Sequence, residues 1–239
     1  MTHLPRKPIR ALIVDVDGTL TDRDRVLNFE VAKTLRMLSS RGLPIVMATG
    51  NVLPIALGLQ RFLGLKGPII ADNGGMVYFS EERIVRLGSR EVALRAYEKI
   101  RASLPVRLLF TDRWRETEVA LVPDQPVEKI LPLVAGMGVK VENTGFAIHL
   151  IEPTAGKLPA ARVALEPLGL EVGDCLVAGD GDNDVELMKA ASVSVSFPEA
   201  MPLAREAADY VSDEGDGAGL LEALERFDLL EESEDPGLG

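Results

Sequence analysis

The chain's 239 residues, of which 46% are hydrophobic and 26% charged, suit one large globular domain or a core with a smaller inserted domain. The net charge of −11 argues against a nucleic acid or an anionic membrane as partner, because both require a basic face. A phosphorylated substrate stays compatible with this charge, because a metal ion and a few basic side chains can set the sign of one pocket.

Along the first third of the chain, apolar runs alternate with segments of helical period, a pattern typical of a parallel sheet flanked by helices. The sequence therefore predicts an α/β fold whose core is a doubly wound, Rossmann-like parallel sheet. The predicted elements are strand 11–16, helix 28–40, strand 44–48, a helix that Asn51 caps and that runs to about residue 64, strand 69–71, and the hairpin 76–79 and 83–85.

The pattern changes at about residue 89. The predicted elements there are helix 89–103, strands 106–110 and 118–121, a helix with Pro126 in its first turn, and strands 140–142 and 147–151. This helix–strand–strand unit, repeated roughly twice, predicts a small inserted α+β domain, the insert, which we place at 81–153. The core then comprises 1–80 and 154–239. Its later elements are helix 154–167, strand 175–178, helix 183–190, strand 193–195, an edge strand near Tyr210, and helix 218–227.

The first polar motif, DVDGT at 15–19, directly follows the first predicted strand. Open parallel sheets bind ligands beyond the carboxyl ends of their strands, so this position is typical of a functional site. Asp15 and Asp17 can face one ligand. Beside a divalent metal, one carboxylate can attack phosphorus while the other shuttles a proton. An acidic turn that only caps the next segment is the alternative, and such a turn seldom has this sequence after an apolar strand.

A second motif, GDGDND at 179–184, stands between a predicted strand and a helix and contains Asp180, Asn183 and Asp184. Carboxylates and amides at this density suit Mg²⁺, which prefers oxygen ligands and takes few of them from protein. A calcium-binding loop would need Gly and Glu where this chain has Val185 and Ala191. The motif therefore predicts a magnesium site and excludes a calcium loop of that type.

Two weaker signals lie at 48–51 and at 156–157. The hydroxyl of Thr49 and the backbone amides of Gly50 and Asn51, ahead of a helix, can seat a phosphate, although the same residues also make a plain helix cap. Lys157 begins the helix after the insert, where a solvated surface charge is the alternative. No Gly-Lys-Ser or Gly-Lys-Thr sequence is present, which excludes a nucleotide-binding P-loop.

Taken in chain order, DVDGT, Thr49-Gly50, Lys157 and GDGDND resemble the haloacid dehalogenase superfamily of phosphatases, in its Cof-like branch with the second type of cap. The resemblance covers nearly the whole chain and implies a magnesium-dependent phosphomonoester hydrolase that forms an aspartyl-phosphate. The roles it implies are Asp15 as nucleophile, Asp17 as general acid and base, Thr49, Gly50, Asn51, Lys157 and Asn183 as substrate-binding residues, and Asp15, Asp17 through its carbonyl, Asp180 and Asp184 as the Mg²⁺ site.

Within that superfamily, the chain is most similar to the archaeal-type phosphoglycolate phosphatases. The shared features are the short length, the small insert, Gly50-Asn51, the run DNGG at 72–75, and His149-Leu150. Thr49, where a serine is common, and Asp182, inside the last motif, depart from the pattern without disturbing the mechanism. The similarity implies 2-phosphoglycolate as substrate.

Three residues of the insert have competing interpretations. His149 alternates with apolar residues, which favours a buried, satisfied strand histidine over a ligand or catalytic group. Arg113 and Arg115, on either side of Trp114, are candidate donors for the substrate's carboxylate, and a solvated pair of arginines is the alternative.

Other functions stay open beside a phosphoglycolate phosphatase. A phospho-accepting signalling module resembling a response-regulator receiver would also use clustered acids and Mg²⁺, but the length of the chain and the second carboxylate, Asp17, oppose it. A sugar-phosphate phosphatase or phosphomutase on the same scaffold is harder to separate, because the pocket of the insert chooses the substrate. Four intact motifs disfavour a non-catalytic binding domain.

The first residues of the chain and its single cysteine indicate where in the cell the protein is expected. Residues 1–10 contain basic side chains without a following apolar signal core, and the apolar run 11–14 is too short to cross a bilayer. Cys175 excludes an internal disulfide and is expected in a buried strand. We expect a cytoplasmic protein that acts on a small phosphorylated metabolite, with the acidic residues at 231–235 forming a solvated end.

Overall fold

A computed structural model describes residues 5–231; residues 1–4 and all of the acidic end except Glu231 lie outside the described part. The strands are β1 (Ala11–Val14), β2 (Ile45–Ala48), β3 (Ile69–Ala71), β4 (Met76–Ser80), β5 (Arg83–Arg86), β6 (Glu118–Leu121), β7 (Lys140–Asn143), β8 (Ile148–Ile151), β9 (Cys175–Ala178), β10 (Val193–Ser196) and β11 (Tyr210–Val211). The helices are α1 (Phe29–Ser40), α2 (Leu53–Leu63), α3 (Arg90–Arg101), α4 (Val127–Val134), α5 (Lys157–Leu165), α6 (Val185–Ala190), α7 (Pro202–Ala207) and α8 (Asp216–Arg226).

Eight strands form one sheet in the order β11-β10-β9-β1-β2-β3-β4-β5. The strands from β11 to β3 are parallel, and β4 and β5 extend the edge as an antiparallel hairpin. Strand β1 lies between β2 and β9, so the order of the chain reverses on either side of it. The predicted doubly wound α/β fold is confirmed, and β1 marks the point where such sheets bind ligands.

The two faces of β1 show why this sheet is covered by helices on both sides. Leu12 and Val14 pack into a cluster that also contains buried residues of α1 and α8, while Ala11 and Ile13 pack with residues of α5 and α6 on the opposite face. The alternation follows from the period of two in a strand. With all four side chains fully buried, the carboxyl end of β1 is held firmly between two packed layers.

The insert has its own three-stranded antiparallel sheet, in the order β6-β8-β7. Helices α3 and α4 cover one face of it and contribute to a separate apolar cluster. The predicted strand 106–110 is wrong: Leu108 forms a single bridge to Leu121, and a 3₁₀ helix starts at Phe110. The side chain of Asp112 accepts a hydrogen bond of 2.9 Å from the amide of Ala120, so the edge of β6 is satisfied without a longer strand.

The sheet pairing also moves the start of the insert. Strand β5 (Arg83–Arg86) pairs with β4 in the large sheet, so the predicted start at residue 81 is too early by this strand. We propose that the insert runs from 87 to 153. The six-residue helix α7 is an element that the sequence did not predict. Within residues 5–231, no helix is both long and apolar enough to cross a membrane.

Candidate active site

The polar motifs of the core meet at the carboxyl ends of three adjacent strands. Asp15 follows β1, Thr49 follows β2 and Asp180 follows β9. Lys157, the first residue of α5, reaches the same place from the helix that follows the insert. The sequence motifs are separated by up to about 165 residues, and the parallel pairing of β9, β1 and β2 brings them to one edge of the sheet.

Lys157 lies between two carboxylates in the floor of this site. Its ammonium group donates to Asp15 Oδ1 and to Asp184 Oδ1, both at 2.6 Å, and the residue is only 2% exposed. Burial alone would lower the pKa of the lysine, but the two carboxylates outweigh it and raise the pKa. Lys157 is therefore a fixed positive charge beside Asp15, and the alternative of a solvated surface lysine is wrong.

Three carboxylates converge near that ammonium group. One oxygen each of Asp15, Asp180 and Asp184 lies within 4.8 Å of the others. Gly18 lies close to this group: its φ is +80°, and a β-carbon there would collide with the carboxylate of Asp180. A set of hard oxygen donors at this spacing, with a glycine that leaves them room, fits a magnesium ion.

The pKa values of these acids show that burial and the neighbouring carboxylates disfavour their charged forms. Burial raises the pKa of Asp15 well above its usual value, and the neighbouring acids Asp184 and Asp180 raise it further while Lys157 lowers it. Burial and the charge of Asp184 raise the pKa of Asp180 to about 7. Without a cation, the cluster therefore holds a proton on Asp180 below about pH 7, and a divalent ion can take the place of that proton.

Asp17 lies half-buried above this cluster. Asn51 donates its side-chain amide to Asp17 Oδ2 at 2.6 Å, and Arg25 Nε lies 3.8 Å from Asp17 Oδ1. Burial raises the pKa of Asp17, against the opposing effects of Arg25, Lys157 and Asn51. A carboxyl group with a raised pKa and a fixed orientation can give and take a proton.

The segment after β2 has a different geometry from the predicted helix cap. Helix α2 begins after Val52, so Asn51 is not its N-cap. The side chain of Asn51 instead donates to Asp17. Thr49 is buried, and its hydroxyl accepts from the amide of Asn51 at 3.0 Å. Gly50 approaches Asn73 so closely that a β-carbon would lie 2.7 Å from Asn73 Oδ1. This tight turn brings backbone amides to the site where a phosphoryl group can bind.

A cavity of about 80 Å³ lies between these core residues and the insert. The core lines it with Asp15, Asp17, Gly50, Asn51, Asp180, Gly181 and Asn183, and the insert lines it with Thr144, Phe146 and His149. Arg25 lies next to this lining without being part of it, and its guanidinium group stacks 3.4 Å from the centre of the Phe146 ring. The insert thus covers the acidic cluster.

His149 has features of both interpretations that the sequence left open, a buried strand histidine and a residue of the site. It is 2% exposed and hydrogen-bonded, as expected for a strand histidine, yet its ring also forms part of the cavity wall. Burial, followed by the nearby charge of Arg115, lowers the pKa of His149 to about 3. The ring is therefore neutral, and its 3.2 Å contact with Glu118 is a polar contact and not an ion pair.

Arg113 and Arg115 are outside the lining of the cavity. Arg115 is buried, donates to the carbonyl of Gly50 at 2.9 Å, and is ion-paired with Glu118 and, at 3.6 Å, with Asp72. Both the carboxylate-donor interpretation and the solvated-pair interpretation are therefore wrong for Arg115. Arg113 is exposed and stacks over the rings of Phe110 and Trp114.

A buried polar network that the sequence analysis missed joins the insert to the core. Asn73 accepts from Asn183 at 2.9 Å and donates to Glu118, which is fully buried. Asp72 and Asn73 both adopt positive φ, at 48° and 51°. One signal was available: Glu118 is the charged residue of an otherwise apolar strand, a position that requires a buried partner.

Comparisons with known proteins agree with this geometry. A family profile described as haloacid dehalogenase-like hydrolase matches residues 12–106 and 124–224. A phosphoglycolate phosphatase of Methanothermobacter thermautotrophicus is 38% identical over 219 residues, which cover 92% of this chain and 99% of the relative. One of Methanopyrus kandleri is 37% identical over 227 residues, covering 92% and 97%.

A solved structure extends the comparison to the whole fold. The crystal structure of a Thermoplasma acidophilum protein, 28% identical, superposes with a TM-score of 0.86 and covers 93% of this chain and 100% of its own. The similarity thus includes the large sheet, the insert and the segments that connect them.

Proposed function

Since the chain belongs to the haloacid dehalogenase-like hydrolases and is a phosphatase, we propose that it hydrolyses small phosphomonoesters through an aspartyl-phosphate on Asp15, with Mg²⁺ as cofactor. The observation that carries this proposal is the convergence of Asp15, Asp180 and Asp184 around the ammonium group of Lys157. The receiver-like signalling alternative has no support, because the matched family consists of hydrolases.

Asp15 and Asp17 divide the two chemical steps between them. A carboxylate oxygen of Asp15 forms the bond to phosphorus as the bond from phosphorus to the leaving oxygen breaks, and Asp17 gives that oxygen its proton. Asp17 then takes a proton from the water that attacks the phosphoaspartate, which restores Asp15 and releases phosphate. The raised pKa of Asp17 supports the first of these roles.

The remaining site residues orient the phosphoryl group. Lys157 and the Thr49 hydroxyl can hold its oxygens, together with the backbone at Gly50 and the amides of Asn51 and Asn183. Mg²⁺, held by Asp15, the carbonyl of Asp17 and Asp180 with Asp184 beside them, would neutralise charge on the phosphoryl group when bound. The insert excludes water, because Thr144, Phe146 and His149 cover the cavity.

We propose 2-phosphoglycolate as the substrate. Two relatives that this chain covers almost completely are named phosphoglycolate phosphatase. The small cavity of about 80 Å³ under the insert favours a short ester over a nucleotide or a phosphoprotein. A sugar-phosphate phosphatase is the competing function, since a hexose phosphate would only require the insert to open wider.

The test is a comparison of kcat/KM for 2-phosphoglycolate, hexose phosphates and ethyl phosphate, with Mg²⁺, with a chelator and with Ca²⁺. We expect 2-phosphoglycolate to exceed ethyl phosphate about tenfold or more, because a hydrogen bond to a charged group contributes about 1.5–3 kcal/mol. Chelation should abolish activity, and Ca²⁺ should inhibit it because its larger shell misplaces the phosphoryl group.

Equal rates on all three esters would leave a general phosphatase and discard 2-phosphoglycolate. Full activity in thoroughly metal-stripped enzyme would contradict the metal requirement.

A further inference from the structure

The cavity wall that the insert provides lacks a positive charge. Of the described residues that line the cavity, none is a lysine or an arginine, and the insert contributes only Thr144, Phe146 and His149. A substrate with an anionic group beyond its phosphoester needs a hydrogen-bond donor on this wall. Thr144 already bonds within its own turn, accepting from the amide of Ala147 and donating to the carbonyl of the same residue, both at 3.3 Å.

The neighbours of His149 determine which ring nitrogen carries its proton. The amide oxygen of Asn73 accepts from Asn183, so the Asn73 amide nitrogen faces the insert, where it donates to Glu118 Oε2 at 3.0 Å. That nitrogen also lies 2.9 Å from His149 Nδ1. Nδ1 also lies 3.2 Å from Glu118 Oε1, an oxygen that already accepts from Arg115. The Asn73 amide is the closer neighbour, and a proton on Nδ1 would place two donors against each other, so Nδ1 accepts from Asn73 and Nε2 carries the proton.

Among residues 5–231, the Nε2–H group of His149 has no strong hydrogen-bond partner. The nearest polar contact is the Thr144 hydroxyl at 3.5 Å, which is long for a hydrogen bond. The ring lines the cavity that also contains Asp15 and Asp17. Glu118, which holds the Asn73 amide, is itself held by Arg115, so the orientation of the ring is fixed from behind.

We propose that His149 is the specificity residue that recognises the acidic group of the substrate, with Nε2–H donating to a carboxylate oxygen. The inference rests on the proposed function and adds the residue that distinguishes an acidic ester from an uncharged one. Asn73 and Glu118 act as positioning residues, because they select the tautomer and hold the ring without contacting the substrate.

Two substitutions distinguish the donor that would recognise the substrate's carboxylate from the acceptor that bonds to Asn73. His149→Gln keeps a donor near the position of Nε2 and loses the acceptor for Asn73, whereas His149→Asn keeps a group near Nδ1 and loses the donor. We expect His149→Asn to lower kcat/KM for 2-phosphoglycolate about tenfold or more while ethyl phosphate changes by less than about twofold. His149→Gln should retain most of the preference for 2-phosphoglycolate. The comparison variant is Arg25→Gln, which tests whether the arginine beside the cavity recognises the carboxylate in place of His149.

Equal losses on the two esters in His149→Asn, or a selective loss in Arg25→Gln alone, would overturn the inference while the phosphatase activity stands. A wild-type enzyme that hydrolyses neither ester would overturn the proposed function, and the inference with it.

The tautomer can be measured in the wild-type protein without any variant. The chain has two histidines, His3 and His149, so the imidazole nitrogen resonances are few and can be assigned by comparison with a His3→Gln protein. We expect the nitrogen shifts of His149 to show a neutral ring protonated at Nε2. A ring protonated at Nδ1, or at both nitrogens at neutral pH, would refute the assignment of Nε2–H as the donor.

Discussion

Lys157 and the acids around it show how single charges define the site. One ammonium group serves two carboxylates at 2.6 Å, and a third carboxylate, that of Asp180, lies within 4.8 Å of both. The local charge is therefore negative until a cation binds. Asp15, which is 6% exposed, is the acid of this group that lies directly beyond β1, where an ester at the sheet edge would meet it.

Replacing the proposed nucleophile, Asp15, tests the proposed covalent mechanism directly. Asp15→Asn keeps the shape of the side chain but removes the attacking oxyanion, so kcat should fall by several orders of magnitude, as with other nucleophile deletions. Steady-state kinetics with 2-phosphoglycolate measure the loss. The matched control is Asp182→Asn, which removes an exposed carboxylate from the nearby GDGDND motif and should leave kcat nearly unchanged. Retention of more than about a tenth of the wild-type rate by Asp15→Asn would rule out the assignment.

Residues whose position follows from a strand end could be predicted from the sequence. Asp15 and Thr49 stand directly after an apolar strand, and Asp180 follows one after a single glycine. Parallel pairing alone brings such positions together. Asn73, Glu118 and His149 meet from separate elements 31 to 76 residues apart. Their meeting depends on how the insert closes on the core, which no local pattern encodes.

At the scale of elements, the start of β6 joins the insert to the core through buried ion pairs. Arg115 precedes this strand and Glu118 begins it, and the two form an ion pair that also reaches Asp72 and the carbonyl of Gly50. All three charged side chains are almost fully buried. Arg115 thus ties the turn after β2 to the insert.

Removing the central charge should destabilise the protein strongly. Arg115→Met leaves Asp72 and Glu118 buried without their cation, and breaking a buried pair in this way costs about 3–5 kcal/mol of unfolding free energy. Denaturant unfolding of the metal-free protein measures it. Arg113→Met, two residues away, removes an exposed arginine that stacks on Phe110 and Trp114, and should cost less than about 1 kcal/mol. Similar losses in the two variants would show that the buried pairs contribute no more than surface packing.

Most elements followed from periodicity and caps, and the two exceptions have physical causes. Helix α1 begins after Asn28, whose side chain accepts from the amides of Glu30 and Val31, and β1 and β9 appear where their apolar runs predict them. Residues 106–110 look like a strand, but the carboxylate of Asp112 takes the amide that a longer strand would have used. Helix α7 has six residues, too few for a helical period to be visible.

For the whole molecule, the proposed binding of Mg²⁺ would compete with protonation for the same carboxylates. The pKa of Asp180 is raised to about 7 by burial and by Asp184, above the value of a solvated aspartate. The folded metal-free protein therefore binds a proton that the unfolded chain releases. This contribution to stability is fully present at low pH and is lost as the pH rises through about 7. The proposed binding of Mg²⁺ would require the deprotonated carboxylates, so the stability that it adds should increase with pH.

Thermal unfolding across this pH range should reveal the competition. We expect the rise in Tm on adding Mg²⁺ to be larger at about pH 8 than at about pH 6, because the ion binds only deprotonated ligands. At about 100 times its Kd, a bound ion adds about 2.7 kcal/mol to the free energy of unfolding. In Asp180→Asn the rise should be smaller and should depend less on pH, because one of the groups that exchange a proton for the metal is gone. A rise in Tm that is equal at both pH values in the wild-type protein would contradict the assignment of Asp180 as a ligand whose proton the metal displaces.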